Sequence, residues 1–457
     1  MLRTRWNAPG GYKEALNIGL PLVVSMLSST VMTFTDRIFL GNYSIEALGA
    51  SLPASIAAFL FLSFFFGVTE YIGVFVSQYT GAAQHERVGT ALWQGLWFCV
   101  PSGLFLALLW FIAEPLFTLG GHPQAVRELE IVYFRILTIG GGVQLVSVCL
   151  SCFYSGRGMT KPVMLVNGAA AILNIPLDYC LINGIGPFPE LGIVGAGIAT
   201  LIGFTVPAVC FAIMVFSAEN ERLFKVRSSY ALDVQLFRRF MKFGLPGGVQ
   251  FFIDMFAISF FVFMVGRIGP VELAASNIAM SIDTLAFLPM IGMHVAASIM
   301  AGQAMGSGDP DQASYATKSV LHIALVYMTC MATIFILFPG PLVELFRTRG
   351  DTGDFAEVVA LGTVLLRYVA AFTFVDALDI IYMGGLKGAG DTGFIMRTMC
   401  LSSICCMVVP VLVLNYFGMM GIHGPWICLL IYASVLGVAF MHRFRKGPWR
   451  SIQVIER

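Results

Sequence analysis

Charge is what this sequence has least of. Of its 457 residues, 27 are Lys or Arg and 26 are Asp or Glu, 12% in all, against 58% hydrophobic. A water-soluble domain carries roughly 25% charged residues, so the composition excludes one and points to an integral membrane protein. The signs nearly balance at net +1, which leaves no whole-chain field to draw nucleic acid. No Cys and His stand at metal-ligand spacing. The ten cysteines fall almost entirely inside apolar runs, where they act as small hydrophobes rather than disulfide partners. No nucleophile and base stand together, so an enzyme is not expected and no cofactor is implied. The alternation of an outer-membrane barrel strand is missing as well.

What is present is a series of runs long enough to span a bilayer, which takes about 20 apolar residues. They lie near 16–40, 47–78, 90–113, 131–155, 161–183, 193–217, 241–265, 275–304, 316–339, 358–386, 393–415 and 423–441. The expected fold is an all-α membrane protein of about twelve transmembrane helices. The first run follows Arg3, Arg5 and Lys13 and is too long for a signal peptide, so it reads as a retained helix.

Basic residues set the orientation. The N-terminal segment and every second loop carry them: Arg87, Arg157 and Lys161, the stretch Arg222–Lys242, Lys318, Lys387 and Arg397, and Arg443–Arg457. That side holds roughly 20, the other roughly four, at Arg127, Arg267, Arg347 and Arg349. The positive-inside rule then places both termini in the cytoplasm. The protein is expected to be multi-pass in the plasma (inner) membrane, with the lipid bilayer as its solvent, and to work as a monomer.

The chain also repeats. Gly19–Pro21 recurs as Gly244–Pro246, Gly41 as Gly266, Leu48 as Leu273, Ala50 and Ser51 as Ala275 and Ser276, Gln78 and Gly81 as Gln303 and Gly306, all at an offset of 225. Two six-helix units that both begin inside share one topology, so they should be related by a pseudo-two-fold axis along the membrane normal. The expected lobes are 1–222 and 223–457, joined through the basic segment Ser217–Lys242. A central cleft between such lobes is a transporter plan.

The acids break the repeat. Asp36 aligns with Phe261 and Asp178 falls near Pro410, while Asp254 aligns with Ser29 and Asp376 with Gln144. Each half therefore carries its own buried acids. A charged side chain at the membrane centre costs about 2.5–3.5 kcal/mol on the gentler insertion scale, so these groups must be protonated, paired or holding a cation. In the stretch Ala171–Ile182, Asn174 and Asp178 stand four residues apart and share a helix face. Pro176 between them removes a backbone donor and is expected to loosen carbonyls there. Such oxygens in an apolar setting suit a small hard cation or a proton. Arg37 follows Asp36, but neighbours on a helix point about 100° apart, so the two are not expected to pair. Thr200 is a candidate partner for the Asn174/Asp178 face. Its alternative is a bond back to its own helix.

Glu70, Asp283 and Asp379 are further acids inside apolar runs, candidates for a solvated cavity. Phe251, Phe252, Met255, Phe256, Phe287, Met290 and Met293 supply aromatic and thioether faces. Soft side chains of this kind suit a polyspecific cavity, though at helical spacing they more often serve core or lipid contact.

Taken in order, these residues resemble the multidrug and toxin extrusion (MATE) family, most closely its NorM-like bacterial members. The resemblance rests on Leu20-Pro21, on Thr35-Asp-Arg-Ile-Phe-Leu-Gly41 and on Val76-Ser-Gln-Tyr-Thr-Gly81. It continues through Gly156-Arg-Gly-Met-Thr-Lys-Pro162, Leu173-Asn-Ile-Pro-Leu-Asp178 and Leu191–Thr200. In the second half it rests on Gly244-Leu-Pro246, Ala301-Gly-Gln303, Asp376-Ala-Leu378 and Gly385-Leu-Lys-Gly-Ala-Gly-Asp-Thr392. It implies an antiporter that exports organic, often cationic or amphiphilic, compounds by alternating access as Na⁺ or H⁺ enters. In similar proteins a first-lobe cation site uses residues that fall here on Asp36, Asn174, Asp178 and Thr200, where Na⁺ would sit. A second-lobe pair falls on Asp254 and Asp376; the first of these is usually Glu in that branch, and here it is the shorter Asp. A flippase for a lipid-linked precursor is the rival reading from a related two-lobed fold. It would want a basic cavity for pyrophosphate, whereas the intramembrane charges here are chiefly acidic.

Overall fold

The computed structural model describes residues 2–347, 355–419 and 421–456. Among the described residues twelve helices are long and apolar enough to cross a bilayer. In chain order they are α1 (Tyr12–Tyr43), α2 (Ile45–Gly81), α3 (His85–Leu119), α4 (Gln124–Ser155), α5 (Thr160–Asn183), α6 (Ile193–Val215), α7 (Val234–Gly266), α8 (Pro270–Gly306), α9 (Pro310–Leu337), α10 (Phe355–Ala389), α11 (Thr392–Tyr416) and α12 (His423–Lys446). Each overlaps one of the twelve apolar runs. Arg349 and Arg457, which enter the charge asymmetry, lie outside the described residues, as does the side chain of Arg3.

Local chemistry sets the helix ends. Ser44 accepts from the Ala47 N–H at 3.2 Å and opens α2. Asp309 does the same for Gln312 at 2.9 Å, with Pro310 in the first turn of α9, where its missing N–H goes unnoticed. Gly184 closes α5 in the left-handed conformation, φ +68° and ψ +47°, which a side chain would strain. Proline inside a span leaves a gap in the hydrogen-bond ladder, and neighbouring helices can cover it in a membrane. In α11 the backbone widens to a π-helical turn at Ser403–Val408 just ahead of Pro410, one recognised way of absorbing the missing donor.

The structure turns Pro176 away from the pair it was expected to serve. Helix α5 runs unbroken through it, and Pro176 is exposed while Asn174 and Asp178 are buried. Two residues along a helix is about 200° of rotation, so the proline faces away from the pair.

The described chain forms two compact units. One comprises Met1–Val23 with Ile253–Gln453, the other Val24–Phe252 with Val454–Arg457. Their boundaries fall inside α1 and α7 and so do not coincide with the sequence repeats, which divide near 222. In the first unit α10 is the central helix, packed on α8, α9 and α12. The start of α1 belongs here: Arg5 donates to Ser319 Oγ at 2.9 Å and to the Tyr315 carbonyl at 2.8 Å, and Tyr12 meets His322 Nδ1 at 2.9 Å. In the second unit α4 plays the central part, packed on α2, α3 and α6. The first half of α7 belongs to this unit. Phe240 packs edge-on against Phe75 and Phe98, and Gly248 lies so close to α2 that a Cβ would stand 2.6 Å from the Phe64 carbonyl oxygen. Small residues permit such close approach of helices in lipid. Gly248→Ala is therefore expected to destabilise the protein by about 1–3 kcal/mol, as over-packing does. A lowered thermal unfolding midpoint in detergent checks this.

The outer surface is apolar. Phe34, Phe111, Ile172 and Ile213 are all more than 60% exposed. On a soluble protein this would be an aggregation hazard; in a chain of twelve membrane-spanning helices, exposed apolar side chains are what lipid tails require.

Candidate functional site

Four helices of one unit carry the first cluster. Helix α1 brings Asp36, α5 brings Asn174 and Asp178 one turn apart, α6 brings Thr200 and α4 brings Tyr133. All five are buried, with Asp178 fully so and none more than 7% exposed. Thr200 does not bond back to its own helix. Its hydroxyl donates to Asp36 Oδ2 at 3.3 Å. The Asp178 carboxyl lies beside that of Asp36. The Tyr133 ring stands next to both acids, with its hydroxyl toward Ser55 and Thr200. Arg37 is exposed and does not pair with Asp36, as the 100° step requires.

The cluster is under-satisfied. Asp36 Oδ1, both oxygens of Asp178 and both amide atoms of Asn174 are buried without a hydrogen-bond partner. A buried polar group lacking a partner typically costs 1–3 kcal/mol, more when charged. Two carboxyls side by side in an apolar setting cannot both be charged and uncompensated. They need a proton or a cation between them. Asp36 Oδ1, Asn174 Oδ1, the Asp178 oxygens and Thr200 Oγ1 are hard oxygen donors, the set that alkali and alkaline-earth cations prefer. No group of three or more His, Cys, Asp or Glu that could hold a metal ion is found among the described residues.

The second cluster lies in the other unit. Asp376 of α10 has Asp283 of α8, Asp379 of α10 and Asp254 of α7 all within electrostatic reach. Tyr432 of α12 stands near Asp254, Asp379 and Asp376. The four acids are half-buried, and Asp379 Oδ1 and the Tyr432 hydroxyl are buried without a partner. Asp254 is therefore within electrostatic reach of Asp376, and so are Asp283 and Asp379, which looked like separate cavity candidates.

The remaining candidates are dispersed. Glu70 is half-buried where α2 breaks at Tyr71. Phe251 stacks on Phe66 at 5.6 Å and meets Phe59 edge-on at 6.2 Å. Met255 and Phe287 are half-buried, and Phe252 and Phe256 are exposed. Met290 is fully buried, and Met293 fills the space opposite Gly19. Sequence reasoning missed Tyr133, Ser55 and Tyr432. A lone tyrosine or serine in an apolar run carries no local signal of the partner it will meet.

Comparison with known proteins agrees with this architecture. The MatE family model matches residues 21–180 and 246–416, one block in each half. The "Probable multidrug resistance protein NorM" of Pseudomonas syringae pv. tomato is 28% identical over 459 residues, covering 98% of each chain. The protein of the same name from Thermotoga maritima is 24% identical, over 97% of this chain and 94% of that one. Among solved structures, the outward-facing conformation of a multidrug resistance MATE family transporter superposes with a TM-score of 0.87 at 19% identity, over 97% of both chains. A MOP superfamily transporter from Pyrococcus furiosus gives 0.85 at 19%, again over 97% of both. At those identities the structures speak for the fold alone. The family is carried by the two matched blocks, which span well over half the sequence and hold Asp36, Asn174, Asp178, Asp254 and Asp376: this chain belongs to the MatE family of membrane transporters.

Proposed function

We propose that the protein is a cation-coupled multidrug antiporter, exporting organic cations or amphiphiles as Na⁺ or H⁺ enters. The observation that supports this reading best is the set of five partnerless buried polar atoms on Asp36, Asn174 and Asp178, beside a threonine hydroxyl. In this reading a proton or Na⁺ entering from outside neutralises the carboxyl pair. That removes the repulsion between the acids and lets α1, α5 and α6 draw together. The two sequence repeats, 1–222 and 223–457, act as the lobes of an alternating-access cycle. The second cluster, Asp254, Asp283, Asp376 and Asp379, presents negative charge to a cationic substrate or a second coupling ion. Both termini are cytoplasmic, the protein sits in the inner membrane, and a single copy suffices. A membrane potential supplies about 2.3 kcal/mol per charge per 100 mV. One entering ion can thus drive roughly fiftyfold accumulation of a neutral substrate on the far side.

Reconstituted vesicles loaded with a fluorescent cationic dye test the reading. Dye transport should follow an imposed Na⁺ gradient, a pH gradient, or both. Transport indifferent to either gradient would overturn coupling. Movement of a lipid-linked pyrophosphate, with no dye transport, would favour the flippase.

A further inference from the structure

The segment that opens α7 forms a basic pocket that the transport reading does not use. Its volume is about 330 Å³ and its lining is Gln235, Arg238, Arg239, Lys242 and Glu456. That volume lies at the lower end of the roughly 300–1,000 Å³ usual for small-ligand sites. Behind it Arg87 holds Glu456 at 3.2 Å and Asp233 at 3.1 Å. With those ion pairs counted, the pocket keeps two positive charges in excess. Arg238 and Lys242 are the exposed pair among the lining cations, while Arg239 is half-buried and donates to the Val454 carbonyl at 3.4 Å.

The helix terminus is not what would bind an anion here. Asp233 Oδ1 already accepts from the N–H groups of Gln235 and Leu236 at 3.1 and 3.0 Å. The side chains remain, and they occur next to apolar surface. Leu245, one turn further into α7 than Lys242, is exposed, and so are Tyr230 and Leu232 in the linker that leads into α7 and Trp97 on α3. The Trp93 and Trp97 indoles donate to the Val226 and Tyr230 carbonyls at 2.6 and 2.9 Å, fastening the linker against α3. Tryptophan and tyrosine mark the depth of the headgroups. A free phosphate would use the charges and ignore the exposed Leu245 beside them. A phospholipid uses both.

We propose that this pocket holds the headgroup of an anionic phospholipid from the leaflet on the basic side of the protein. Two phosphates on one lipid match its excess charge better than one. Basic pockets at the ends of membrane helices take such headgroups.

The test uses the purified full-length protein, delipidated and titrated in native mass spectrometry. The probes are cardiolipin, phosphatidylglycerol, phosphatidylethanolamine and, separately, inorganic phosphate, with thermal unfolding as a second readout. Cardiolipin should bind best, phosphatidylglycerol less well and phosphatidylethanolamine least. The double variant Arg238→Gln/Lys242→Gln should weaken cardiolipin on the order of thirtyfold, at the usual contribution per basic residue near the headgroups. Arg445→Gln/Lys446→Gln, which removes the same charge from another exposed stretch, should leave binding unchanged. If the double variant does not fold, each single variant should still show about fivefold weakening. Equal retention of phosphatidylethanolamine, an unchanged double variant, or equal loss in the Arg445/Lys446 control would each overturn the proposal. Stabilisation by inorganic phosphate as large as by lipid would overturn the choice of a lipid.

Discussion

Asp36→Asn should give a protein that inserts and folds but moves dye no faster than empty vesicles under any cation gradient. The substitution keeps shape and keeps an oxygen for the Thr200 hydroxyl, which donates to Asp36 Oδ2 at 3.3 Å. What it removes is the ability to take up and release charge. Asp36 and Asp178 lie side by side among buried atoms that lack partners, so the pair is a burden on the fold. Removing one of two neighbouring like charges relieves a repulsion that burial makes larger. The unfolding midpoint of Asp36→Asn, measured without Na⁺, should hold or rise while transport is lost. A purely structural acid predicts the opposite, a lower midpoint with residual transport in proportion to the surviving protein. Full drug resistance in cells carrying Asp36→Asn at normal expression would remove Asp36 from the coupling step.

The second large effect is expected at Asp376. It is the hub of the other cluster, with Asp254, Asp283 and Asp379 around it. Unit charges about 4 Å apart interact by about 4 kcal/mol at an effective dielectric of 20. Losing even a third of that would weaken the hold on a cationic dye roughly tenfold. Asp376→Asn should therefore raise the KM for a cationic dye about tenfold and leave a neutral amphiphile nearly unaffected. Asp283→Asn and Asp379→Asn should act in the same direction with smaller effects, since each is a neighbour of the hub. Equal changes for cationic and neutral substrates would mean that Asp376 shapes the helix bundle rather than its charge.

Both predictions rest on residues that could be picked out before any helix was placed. Carboxyl groups in runs of leucine, phenylalanine and alanine stand out because lipid leaves them no solvent. Asn174 and Asp178 could be put on one face from their spacing alone, and both are buried together. Pro176 is the instructive exception. Its missing donor points to loosened carbonyls beside the pair, yet it lies on the exposed side of an unbroken helix, away from Asn174 and Asp178. A proline signals a missing donor, but its neighbours decide whether anything opens.

The sequence by itself determined the solvent of this protein, the number of crossings, the twofold repetition and the identity of the acids that must be accounted for. Those properties follow from hydropathy and helical period, which are local along the chain. Only the tertiary structure decided that Thr200 turns to Asp36, that Tyr133 joins it from α4, and that three other acids of the second repeat lie within electrostatic reach of Asp376. It also decided that the compact units part inside α1 and α7 rather than at the linker. The reason is that partners on different helices are chosen by packing. How closely two helices approach, at a glycine such as Gly248, and how each is rotated are set by side chains far apart in the chain.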